Sequence, residues 1–255
     1  NSVGRFRNSF ELIYGNGTKM LVSDELMLDS VIQLLHGSKD GMPEPFEFVK
    51  ILTYLDKSDS PIVKENIMMV ELLFYNYIRH DVNLRHFQLF YGILHNPSTM
   101  LELIKLAWLP DNEQAKEIRK NEFAKNKNLS SIAKIALEIL HGLEAQPCEN
   151  NNGVVNGQDL KKYAKELLEA AKSEYLERPA MYVIGKLLGN INLGEDYPPP
   201  YLGEILEELD KDEIDDEYRR QLFNRHGFTC RAYNEGGTIE RKREKKFLSY
   251  AEKTR

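Results

Sequence analysis

The chain has 255 residues, 42% hydrophobic and 29% charged, and 34 basic against 40 acidic side chains leave a net charge of −6. This composition suits a globular protein with a real core, and it excludes a wholly disordered chain, a collagen-like fibre and, with two cysteines, a disulfide-stapled scaffold. No apolar run reaches the ~20 residues of a membrane helix, and the acidic balance excludes a wholly basic nucleic-acid surface but not a local basic patch.

Helical periodicity runs from Ser23 onward. Phe46, Val49 and Leu52 follow the turn at Pro43 and Pro45. Ser60-Pro61 reads as an N-cap followed by proline at the first helical position, where the missing N–H costs nothing. Val63, Ile67, Val70, Phe74 and Tyr77 then recur at spacings of four and three, an apolar stripe on one helix face. Phe87, Phe90, Tyr91 and Leu94 form a short aromatic helix, and Asn96-Pro97 starts another through Leu101, Ile104 and Trp108 that stops before Pro110. Ile132, Ile135, Ala136, Ile139, Leu140 and Leu143 form the most apolar helix, expected at the centre. Leu160, Tyr163, Ala164, Leu167, Leu168 and Ala171 follow a cap at Asn156. Met181, Ile184, Leu187 and Leu188 close before Gly189, and Leu202, Ile205, Leu206 and Leu209 follow Pro198-Pro199-Pro200.

No stretch alternates at period two for more than four residues, and Asn16-Gly17 is the one hairpin-type dipeptide. The expected fold is all-α. Segments 46–55 with 62–78, and 87–94 with 100–108, pair at intervals of roughly 30–45 residues, as HEAT-like stacked helix pairs do. The alternative is an irregular helical bundle. The Asn- and Gly-rich stretch around 146–157 reads as a linker between an N-terminal helical block, 1–145, and a C-terminal block, 158–255. The chain opens without an initiator Met or a signal-peptide pattern and stops inside a helical pattern, as expected of a piece of a longer protein. Two cysteines need no bridge, and the expected location is the cytoplasm.

Catalytic and metal signatures are missing. The six histidines lack zinc-ligand spacing, and His80 and His86 read as a polar turn. No nucleophile elbow and no Walker-type loop occur. Gly15–Lys19 reads as a surface turn, and Gly185-Lys186 with Gly189 only as a helix end. The expectation is no metal, no cofactor and no enzyme, with dispersed Glu65, His80, Asp81 and His86 as the least favoured catalytic set.

Charge is segregated near the C-terminus. Residues 201–224 hold nine acidic and three basic side chains, and residues 225–255 hold nine basic and four acidic ones. The acidic run reads as a solvated helix and turn, since its spacing does not match a calcium loop. The basic run either docks on the acidic one or offers a surface to nucleic acid or an acidic partner.

The segment Asn224-Arg225-His226-Gly227-Phe228-Thr229-Cys230-Arg231, followed by Glu235-Gly236-Gly237 and a charged helix start, resembles a stretch in large uncharacterised multidomain bacterial proteins. Ile184–Leu188 through Pro199 to Leu209, and Pro61–Asn66, are similar to segments of the same proteins. The resemblance implies a C-terminal HEAT-like helical-repeat region that accompanies an NTPase or nuclease module in bacterial defence loci. The resulting expectation is a non-enzymatic recognition or scaffold module that binds a protein partner or other domains of its parent chain, without a membrane. Arg225, Arg231, Gly236, Gly237, Arg241 and Arg243 are the candidate binding residues, because a loop between helices is a common place for function. Nucleic-acid binding through 225–255 is the alternative.

Overall fold

The computed structural model describes residues 23–37, 45–79, 87–143, 146–149, 154–191 and 199–224, together with Arg241 and Lys245. The fold is all-α. Eleven helices occur among the described residues: α1 (Asp24–Gly37), α2 (Pro45–Leu55), α3 (Pro61–Ile78), α4 (Gln88–His95), α5 (Pro97–Ala107), α6 (Glu113–Lys125), α7 (Lys127–Gly142), α8 (Gly157–Ser173), α9 (Glu177–Gly189), α10 (Pro200–Leu209) and α11 (Asp212–Asn224). They belong to two compact units, one ending at Ala180 and one beginning at Met181.

Asparagine starts four of these helices. The side-chain oxygens of Asn96, Asn112, Asn126 and Asn156 accept backbone N–H bonds from Ser98, Ala115, Asn128 and Gln158, satisfying donors that an α-helix leaves open at its start. Ser60 behaves differently from the expectation: its side chain makes no cap bond, and Pro61 alone marks the start of α3. The beginning of α1 is tied to the end of α2, where Asp24 accepts from the Tyr54 hydroxyl at 3.0 Å and from the buried Ser58 hydroxyl.

In the first unit α3 and α5 are central. α3 packs against α1, α2, α4 and α7, and α5 packs against α4, α7 and α8. The two helix pairs expected from spacing, 46–55 with 62–78 and 87–94 with 100–108, do pack together. Val63, Ile67, Val70 and Phe74 are buried, as are Ala136, Ile139 and Leu140 on α7, Leu143 just after it and the whole apolar stripe of α8. The described parts of the 146–157 segment are bonded within this unit. The Cys148 N–H donates to Leu94 O at 3.1 Å, the Asn156 N–H donates to Cys148 O at 3.2 Å, and Glu149 and Val155 form an isolated β-bridge.

One acidic side chain lies inside this core. Glu71 falls four residues after Ile67 and three before Phe74, on the apolar face of α3, and is fully buried. It compensates for a missing cap. Phe87, at the N-cap of α4, has no side-chain acceptor, and Glu71 supplies one across the helix interface: Leu89 N–H donates to its Oε2 at 2.6 Å and Gln88 N–H to its Oε1 at 3.3 Å. Burial, with Asp56 nearby, pushes the Glu71 carboxyl up to about 8 even though the two N–H donors oppose the shift. An unfolded Glu titrates near 4.5, so folding takes up a proton between about 4.5 and 8. This contribution to stability is complete below about 4.5 and is lost as pH rises through about 8. Glu71→Gln, which keeps one acceptor, is expected to flatten the decline in the urea midpoint between pH 5 and pH 9 relative to the unmutated chain. An unchanged decline would place the titrating group elsewhere.

In the second unit, glycines permit a close helix crossing. A Cβ on Gly185 would lie 2.7 Å from Glu217 Cβ and from Ile214 O, and one on Gly189 would meet Gln221 at still closer range. These glycines are packing positions of α9 against α11 and not simply a helix end. The crossing also changes the reading of the acidic segment. Glu217 is buried there, its Oε2 pairing with Arg220 at 3.0 Å and its Oε1 accepting from Gln221 at 2.6 Å, while most of its acidic neighbours stay exposed. Gly203 on α10 has open space around it. Gly185→Ala is therefore expected to lower stability by about 1–3 kcal/mol through overpacking. Gly203→Ala should raise it by roughly 0.5–1 kcal/mol, because alanine loses less backbone entropy in a helix. Thermal melts of the two variants test this opposition of sign.

Candidate functional site

A hollow of about 440 Å³ lies in the first unit between the end of α5, the 115–122 stretch of α6 and the turn after α8. Each wall has a local cause. α5 ends at Trp108, which is extended (φ −124°, ψ 153°), and Pro110 cannot continue a helix. Asn112 then caps α6 through Ala115 N–H at 3.0 Å. The third wall is the C-terminus of α8. Leu176 N–H donates to Ala171 O at 2.8 Å and Tyr175 N–H to Lys172 O at 3.2 Å, the bond pair of a Schellman motif, with Tyr175 left-handed at φ 58°. The Tyr175 carbonyl accepts from Asp111 N–H at 2.8 Å, joining this turn to the loop before α6.

Glycine is the usual residue at that left-handed position, and an L-residue with a Cβ costs roughly 1–2 kcal/mol there. Tyrosine takes the position here, and the residue is 53% exposed. Ile118 on the facing helix is 57% exposed and Leu109 in the connecting loop 39%. Tyr175 and Ile118, two of the eight large hydrophobic side chains that are exposed among the described residues, both line this hollow, and their meeting at one place distinguishes it from scattered surface apolarity. α6 itself has no buried residue. Ion pairs such as Lys116–Glu113 and Lys120–Glu117 run along it, and Arg119 reaches across to donate to Lys105 O at 2.8 Å.

The polar side chains of the hollow are arranged in pairs. Lys105 bonds Glu102 and Glu174, each at 3.0 Å. Burial pulls its ammonium down, but the two carboxylates outweigh this and hold it above the ordinary lysine range. Arg119 pairs with Glu122 at 3.2 Å and lies over the Phe123 ring at 5.4 Å. Trp108 meets His141 at a ring separation of 6.4 Å.

A second hollow of about 740 Å³ opens between α4, the 148–156 segment and α8. Its lining includes the charged side chains of Glu149, Asp159, Lys162 and Glu166. The His95 ring stacks on Tyr91 at 4.2 Å, and its Nδ1 lies 2.9 Å from Tyr91 O, so this histidine is held by its own helix. The buried Tyr163 hydroxyl donates to Ile93 O. Cys148 is left-handed at φ 59°, and burial pushes its thiol up to about 11. At neutral pH it is protonated and a poor nucleophile.

Of the residues expected to bind, Arg241 is helical and exposed; Arg225, Arg231, Gly236, Gly237 and Arg243 lie outside the described residues. So do His80, Asp81, His86, His226, Cys230 and the Gly15–Lys19 turn. Glu65 is exposed on α3. No group of side chains among the described residues is arranged to hold a metal ion. The Trp108–Ile118–Tyr175 hollow carried no motif in the sequence. The available signals were the single tryptophan before Pro110 and an unusually polar α6, and neither indicates that α8 ends beside them. No protein-family model, curated protein or solved structure matches the chain.

The Cys148 environment predicts slow alkylation. With a thiol near 11 in place of 9, thiolate at pH 8 falls roughly a hundredfold and the greater nucleophilicity of the more basic thiolate recovers about tenfold, so the iodoacetamide rate at Cys148, followed by mass spectrometry of its peptide, should lie roughly tenfold or more below a model thiol. A rate equal to the model thiol would contradict the burial of the sulfur.

Proposed function

We propose that this chain is a non-enzymatic helical recognition module that binds a protein partner through the Trp108–Ile118–Tyr175 hollow. The observation carrying this reading is Tyr175. A tyrosine at the left-handed position of a Schellman turn costs stability that glycine would save, and its ring is left half-exposed beside Ile118. Energetically unfavourable backbone placements concentrate at binding sites, and aromatic side chains in a partly apolar hollow with a polar rim are the usual anchors of protein interfaces. The resemblance at 184–237 supports a place within a larger bacterial protein, where such a module would dock a partner or a neighbouring domain. A free Cys148 is compatible with a reducing cytoplasm.

A photo-crosslinking residue at position 118 is expected to trap a discrete protein adduct in cells, and the same residue at exposed Ile62 on α3 should not. Tyr175→Gly should abolish the adduct while leaving thermal stability unchanged or raised, because glycine relieves the left-handed strain. An adduct that survives Tyr175→Gly, or that forms equally from position 62, would remove the hollow as the binding surface.

A further inference from the structure

Resting on that reading, we infer that the occupant of the hollow is a basic amphipathic segment: a bulky apolar anchor set between Trp108, Ile118 and Tyr175, flanked by lysine or arginine side chains. The inference comes from which polar groups remain available. Both cations of the wall are sequestered. Lys105 is shared by two carboxylates, and Arg119 is divided between Glu122 and the Lys105 carbonyl. Their side chains are only 26% and 25% exposed, whereas Glu102, Glu122 and Glu174 are 68%, 51% and 48% exposed. The cations therefore line the inside and the carboxylates form the outer rim. Each of these pairs engages one carboxylate oxygen, so an incoming chain meets acceptors first and no uncommitted cation from Lys105 or Arg119. An acidic segment would bring like charge to that rim or have to break the existing pairs, whereas a basic one extends them.

The chain contains one tryptophan, and Trp108 lies in this hollow, so its emission reports occupancy of the site. Three short synthetic helical peptides serve as probes: one of Leu and Lys on opposite faces, one with Glu replacing Lys, and one with Ser replacing Leu. The Leu/Lys peptide is expected to shift Trp108 emission saturably, with an affinity that falls as salt is raised and exceeds that of the Leu/Glu peptide by at least about tenfold. The Leu/Ser exchange should abolish the shift. Glu174→Gln and Glu122→Gln should each weaken binding several-fold. Asp159→Asn, which removes an equal charge at the other hollow, should leave it unchanged and so exclude attraction by net charge alone. If the Leu/Glu peptide binds as well as the Leu/Lys peptide, or Asp159→Asn weakens binding as much as Glu174→Gln, the inference is overturned while the recognition reading stands. If none of the peptides moves Trp108 emission, the inference also falls, and crosslinking from position 118 decides separately whether the hollow binds protein at all.

Discussion

The first unit depends on a buried carboxyl group lent by one helix to the start of another. α4 begins at Phe87, which can bury a ring but cannot accept a hydrogen bond, and the buried Glu71 of α3 accepts from Gln88 and Leu89 instead. The bond does more than satisfy two donors. It sets where α4 starts relative to α3, and since α4 continues through the Asn96 cap into α5, it also positions the helix from which Trp108 emerges. A side chain that must reach two particular N–H groups from a buried position tolerates little sliding of the helix interface, whereas apolar packing alone leaves more room to adjust. The elevated carboxyl is the energetic consequence: desolvation costs so much that the group prefers its proton, and the helix N-terminus only partly offsets the cost.

The hollow at Trp108 reverses this balance between stability and order. Around Glu71 every local choice favours burial. At Tyr175 the chain places a bulky L-residue in a conformation that favours glycine, leaves its ring half in water, and faces it with a helix that buries nothing. The backbone there is nonetheless well determined, since the two Schellman bonds and the Asp111–Tyr175 bond hold the turn from both sides. A rigid turn displaying an exposed aromatic ring loses little side-chain entropy on binding, which is what a recognition surface requires.

Much of the architecture could be read from residue spacing. The apolar stripes of α3, α5, α7 and α8, the asparagine caps at Asn96 and Asn156 and the helix starts at Pro61 and Pro97 all follow from rules acting within a few residues. What spacing missed or misread shares a different cause. Glu71 occupies a core position in a stripe that reads as complete without it. Gly185 and Gly189 look like a helix end because the helix they accommodate, α11, lies more than twenty residues away in sequence. Glu217 looks like another member of an acidic run because its burial against Gly185 depends on that same crossing. The hollow was invisible for the same reason, since its three walls come from residues near 108, 118 and 175.

The sequence alone determined that this protein is built of helices, because hydrophobic periodicity, capping and proline placement act over one or two turns. It also determined which faces those helices bury. Tertiary structure decided which buried carboxyl group caps which helix, which glycines admit a neighbouring backbone, and which exposed aromatic side chain meets which pair of charges. Those outcomes depend on distances between segments far apart along the chain, and local spacing holds no record of such distances until packing brings the segments together.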